Sequence, residues 1–160
     1  MASGFPFALL LCLSNGLLAA SCYGQTSCPG PCPPGWTQFD SSCFTFNFQG
    51  KSWIDVEIFC LSLGGNLASV HSEKEHSFLR DFIKRVTGAN ITSWIGGFDL
   101  LQEGVWQWTD GSKFDYKQWG PGEPNNRGGA EHCLEMKFKE KFWDDEQREI
   151  ILPFVCSKDL

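Results

Sequence analysis

Oxygen donors gather in one stretch of this 160-residue chain: Glu123-Pro124-Asn125, then Glu131, then Trp143-Asp144-Asp145. Calcium is a hard cation that takes roughly six to eight oxygens from carboxylates, amide carbonyls and water. Two acids and an amide on a loop, with two more acids at a strand end, can therefore close one site. Spacing alone does not separate that chemistry from acids that are simply solvated in loops, the commoner state of Asp and Glu.

Other residues invite chemistry less strongly. His71-Ser72-Glu73-Lys74-Glu75-His76 has the donors for zinc, but Ser72 with Glu75 has the form of a capping box, and a helix start explains the run better. His132 stands beside the acids and reads as a polar residue at a strand end. Trp94, Trp106, Trp108 and Trp143 read as core, which leaves Trp119 and Phe142 as aromatics able to offer a face to a ligand. Lys137, Lys139 and Lys141 alternate with Phe138, Glu140 and Phe142, the pattern of a solvated strand face. Asn90-Ile91-Thr92 is a glycosylation sequon. No nucleophile elbow, phosphate loop or dinucleotide fingerprint is present, so the sequence reads as a binding protein and not an enzyme. A net charge of −6 without clustered Lys or Arg excludes nucleic acid as the expected partner.

The elements that must position these groups are legible in outline. Ser52 with Asp55 starts a helix that places Trp53, Val56, Cys60 and Leu63 on one face and ends at Gly64-Gly65. Ser72 starts a second, with Phe78, Leu79, Phe82, Ile83 and Val86 at helical spacing before Gly88. After Ser93 the pattern changes to short β-branched and aromatic runs at 93–95, 105–109, 133–138 and 152–156, separated by Gly, Pro, Asn and Asp. Helices followed by a run of strands predict an α+β domain. The stretch from Phe114 to Ala130 is a long loop, and a loop of that length inside a domain is usually functional or disordered.

Eight Cys in so short a chain point to an oxidising compartment. Phe5 to Ala20 is uncharged and almost wholly apolar, and small residues follow, so residues 1–24 read as a signal peptide cut between 20 and 24. The run is shorter than the ~20 apolar residues of a membrane span and is broken by Ser14-Asn15-Gly16. Secretion is expected. Residues 25–31 form a short Pro- and Gly-bearing lead, with the folded domain at 32–156. A cut after Gly24 leaves six cysteines, and one after Ala20 leaves seven, the odd one then being available to a second subunit.

Taken in order, several motifs carry a resemblance: Cys32-Pro33-Pro34-Gly35-Trp36 with Cys43, Gly64-Gly65-Asn66-Leu67-Ala68-Ser69-Val70, Trp94-Ile95-Gly96-Gly97, Trp106-Gln107-Trp108-Thr109-Asp110-Gly111, Glu123-Pro124-Asn125, Trp143-Asp144-Asp145 and Phe154-Val155-Cys156. Over about Cys32 to Cys156 the chain resembles the C-type lectin family, in the form of the small soluble single-domain lectins of fish, a group that includes the type II antifreeze proteins. The resemblance implies a double-loop α+β fold with two helices, antiparallel sheets, and disulfides Cys32–Cys43 and Cys60–Cys156. It also implies a calcium site of Glu123, Asn125, Glu131, Asp144 and Asp145, with Pro124 cis so that its neighbours aim at one ion. In such a site Glu123, Asn125, Glu131 and Asp144 would also bond the sugar, and the Glu-Pro-Asn order is associated with mannose-type sugars. The implied role is a secreted, calcium-dependent lectin of innate defence that recognises microbial or cell-surface glycans.

The sequence departs from the family's pattern at three places. Asp144 stands where Asn is usual, so a sugar hydroxyl meets an acceptor in place of a donor. Arg148 stands where a cysteine normally pairs with the equivalent of Cys133, which leaves Cys133 to pair with Cys28, to stay a buried thiol, or to bridge two chains. A homodimer through Cys28 or Cys133 is one expectation, with Cys28 favoured by its place in the lead segment. At the family's auxiliary calcium position, Asp99 and Glu103 are joined by Asn126 and His132 where further acids are expected, so that second calcium site should be absent. The alternative reading follows: a domain of the same fold that has lost sugar binding and binds protein, mineral or ice.

Overall fold

The two helix starts are built by short polar side chains. In the computed structural model, which describes residues 32–137 and 141–160, helix α1 spans Trp53–Ser62 and the Ser52 side chain accepts from the Asp55 amide. Helix α2 spans Glu73–Thr87, with Ser72 accepting from the Glu75 amide and Gly88 ending it in the left-handed region at φ 68°. Glu75 closes the cap one residue earlier than a strict capping box, accepting from the His71 amide at 2.6 Å. The expected signal peptide, the lead segment, Cys28 and Phe138 lie outside the described residues.

Strands occupy Thr37–Phe39 (β1), Ser42–Lys51 (β2), Asn66–Leu67 (β3), Ser93–Phe98 (β4), Gln107–Trp108 (β5), Glu131–Lys137 (β6), Phe142–Gln147 (β7) and Leu152–Asp159 (β8). They run in the order β1-β2-β8-β4-β6-β7, with β3 on β8 and β5 on β4. The pairings are antiparallel except that of β4 with β8, which is parallel through Trp94 and Phe154. The α+β class is as expected, with that one parallel contact added. The two disulfides fall at Cys32–Cys43 and Cys60–Cys156.

Two apolar clusters fill the interior. One joins α2 to the sheet through Leu79, Phe82, Ile83, Ile95, Leu134 and Trp143. The other joins α1 to it through Trp53, Val56, Cys60, Trp94, Phe154 and Cys156. Two expected core positions are corrected: Leu63 is 38% exposed and Val86 is 40% exposed, because each lies in or just past the last turn of its helix, beyond the sheet's cover. Close approach explains Gly96, where a Cβ would stand 2.7 Å from the Leu67 carbonyl oxygen. Cys133 is a fully buried free thiol, and burial pushes its pKa up, which keeps it protonated. No helix among the described residues is long and apolar enough to cross a membrane.

Candidate metal and ligand site

The long loop between β5 and β6 is held from its aromatic side first. Trp119 packs against Trp106 and Trp143, and the loop backbone is bolted to β7 at two points: the Trp143 amide donates to the Gln118 carbonyl, and the Gly120 amide to the Trp143 carbonyl. Trp119 is therefore a structural anchor, and as a half-buried wall residue it is not free to serve as a separate stacking platform. This docking brings the following residues, Glu123 to Asn126, over the strand that carries Asp144 and Asp145.

The Glu123–Pro124 peptide is cis, as the resemblance implies. Asp145 then ties down the loop: its two carboxylate oxygens accept from the amides of Asn125 at 2.9 Å and Asn126 at 2.7 Å. Glu131 does the same one turn later, accepting from the Arg127 amide at 2.8 Å, while Asn126 accepts from the Glu131 amide. Much of the loop's order is thus supplied by the chain's own carboxylates.

Glu123, Asp144 and Asp145 each place an oxygen within 4.8 Å of the others. Asn125 joins them by donating to Glu123 at 2.6 Å. Glu131 is not in that trio, its carboxylate being turned to the Arg127 amide. Asp144 and Asp145 are buried, and burial together with the Asp144 and Asp145 charges raises the Glu123 pKa to about 7. Burial likewise raises that of Glu131. Asp144 Oδ1 is buried and lacks any hydrogen-bond partner. Three converging carboxylates and an orphaned buried oxygen are a donor set that a hard divalent cation fits.

One neighbour was not expected. Lys137, read from the sequence as part of a solvated face, turns inward and ion-pairs with Asp144 and, at 3.6 Å, with buried Glu135. Burial works against the Lys137 charge, but Asp144 and Glu135 outweigh it and raise its pKa. The residue types alone carried no signal for this, since the pairing depends on the register of β6 against β7. Asn90, exposed just after α2, is accessible. His76 does not approach a metal cluster: it is buried on α2 against Trp143. His132 does meet acids, facing Asp99 and Glu103, and Asn126 donates to Glu103.

A family model, the lectin C-type domain, matches residues 49–158. The galactose-specific lectin nattectin of Thalassophryne nattereri is 44% identical over 129 residues, covering 81% of each chain. Ladderlectin of Oncorhynchus mykiss is 50% identical over 115 residues, 71% of this chain and 60% of that one. Among solved structures, a calcium-independent type II antifreeze protein superposes with a TM-score of 0.74 at 33% identity, covering 81% of this chain and 95% of its own.

Proposed function

The chain belongs to the C-type lectin domain family, and from that premise we propose that it is a secreted lectin that binds mannose-type sugars through calcium held by Glu123, Asn125, Glu131, Asp144 and Asp145. The observation that carries this reading is the cis Glu123-Pro124-Asn125 segment set beside Asp144 and Asp145, with one buried Asp144 oxygen unpartnered. Calcium, when bound, would offer direct coordination to two neighbouring sugar hydroxyls. Glu123 is then an acceptor and Asn125 a donor for the same hydroxyls, and that polarity sets which sugar fits. Glu131 and Asp145, already bonded to loop amides, hold the donors in place. The domain works by binding, and no catalytic step is part of the reading. Full burial of Cys133 leaves Cys28 as the cysteine for an intersubunit bond, and a dimer would raise avidity for glycan surfaces.

A specific observation favours a second reading. Asp144 offers a sugar no donor, and Lys137 already occupies one of its oxygens, so the fold is kept while sugar affinity falls. The structural likeness to a calcium-independent antifreeze protein supports that course. Retention of the purified protein on mannose-agarose in calcium, with a galactose-agarose column alongside, decides between them. Mannose retention released by chelator, and by mild acid that protonates the ligands, is the expected result. Retention on galactose alone would overturn the sugar assignment in the direction of nattectin's name, and flow-through of folded protein on both would favour the second reading.

A further inference from the structure

We propose that Asp99, Glu103 and His132 form a second cation site in this protein, built for zinc or a similar transition-metal ion and not for calcium. Pairing of Phe98 on β4 with Cys133 on β6 sets the residue after the one beside the residue before the other, so that Asp99 and His132 become neighbours. The backbone confirms the placement, with the Asp99 amide donating to the His132 carbonyl at 3.1 Å. Glu103 comes from the turn that follows β4. That turn is fixed by Asp99 itself, whose Oδ2 accepts from the Gly104 amide at 2.7 Å.

The geometry is that of a small four-coordinate ion. His132 Nδ1 lies 3.0 Å from Asp99 Oδ1 and 3.5 Å from Glu103 Oε2. Tetrahedral zinc with bonds of about 2.0 Å separates neighbouring ligand atoms by about 3.3 Å, which those two distances bracket. Calcium prefers oxygens only, more of them, at about 2.4 Å. A ring nitrogen between two carboxylates moves the preference toward zinc, nickel or cobalt.

The surroundings suit the role. Asp99 is 2% exposed, so its charge is costly unless matched, and the His132 ring faces it at 3.0 Å. The Gly104 amide orients it from behind, as outer partners orient metal ligands. The His132 side chain is 27% exposed and borders a cavity of about 240 Å³ shared with Leu100, Ala130 and Arg148, which gives an ion and a fourth, water ligand their access. Asn126 donates to Glu103 and accepts from the Glu131 amide, so an ion here would also brace the long loop.

The site does not depend on the sugar reading, and a metal titration tests it without any glycan. The purified full-length secreted protein, stripped of metal and returned to calcium buffer, is titrated with zinc and with cobalt(II), whose visible absorption strengthens when it is four-coordinate. One saturable equivalent per chain is expected. His132→Asn and Glu103→Gln, both at partly exposed positions, should each weaken it at least roughly tenfold. His71→Gln should leave it unchanged, and circular dichroism would verify that every variant is folded. Absence of saturable binding overturns the proposal, as does binding that survives both His132→Asn and Glu103→Gln or that disappears with His71→Gln.

Discussion

Asp144 gives one carboxylate oxygen to the ammonium of Lys137 and keeps the other buried without a partner, so the residue is half committed before any ion arrives. Lys137 places a positive charge beside the proposed calcium site. Replacing it by Met should tighten calcium binding by on the order of 1 kcal/mol, or about five- to tenfold, in a calorimetric titration. Weaker binding in Lys137→Met would mean instead that the lysine holds Asp144 in its ligating position. His76 makes a separate prediction. It is 1% exposed, both ring nitrogens lack hydrogen bonds, and burial lowers its pKa to about 4 from an ordinary 6.5. Above pH 6.5 both folded and unfolded chains hold it neutral. As the pH falls from 6.5 toward 4 only the unfolded chain takes the proton, and stability on the order of 3 kcal/mol is lost across that window. Urea midpoints of wild type and His76→Leu at pH 7 and pH 4.5 check it, and the variant should show the smaller acid loss.

The ordering of the long loop is a matter between elements. Asn125 and Asn126 are tied to Asp145 on β7, and Gln118 and Gly120 to Trp143 on the same strand. On the proposed calcium reading, removing the ion should therefore leave the sheet and helices intact and loosen the loop locally. Limited proteolysis in chelator should cut between residues 114 and 130 several times faster, while far-ultraviolet circular dichroism stays unchanged; loss of the dichroism signal would show that the ion supports the whole fold. These ties also explain what the sequence could not disclose. Both helices were legible because Ser52, Ser72 and Gly88 act on neighbours within a few residues. The loop was legible as a loop, and the resemblance pointed to the convergence of Glu123 with Asp144 and Asp145, but Lys137 on Asp144 depends on strand register. Strand β2 shows the opposite case: Phe44, Phe46 and Phe48 alternate with polar residues in a period of two, a strand signal carried by the local sequence itself. Asp99 and Glu103 stand about thirty residues from His132; the resemblance placed them at one position, and the β4–β6 pairing is what sets Asp99 directly beside His132.

At the scale of the whole molecule, the disulfide Cys60–Cys156 ties the second half of α1 to β8 across a sequence separation of 96 residues. In the chain-entropy model closing a loop of that size is worth roughly 4 to 5 kcal/mol. A Cys60→Ala/Cys156→Ala pair should lower unfolding free energy by an amount of that order in denaturant titrations; a change of under about 1 kcal/mol would mean that the apolar cluster around Trp53 and Trp94 holds the halves together by itself. Trp143 has a further use. Its indole sits edge-on to Trp108, Trp119 and His76, while its peptide groups grip the loop and its next neighbour in the chain is Asp144. Whatever settles on that carboxylate tugs on the backbone of a buried chromophore. The protein thus carries its own optical gauge, and ligand occupancy can be followed as a change in intrinsic emission without attaching a dye.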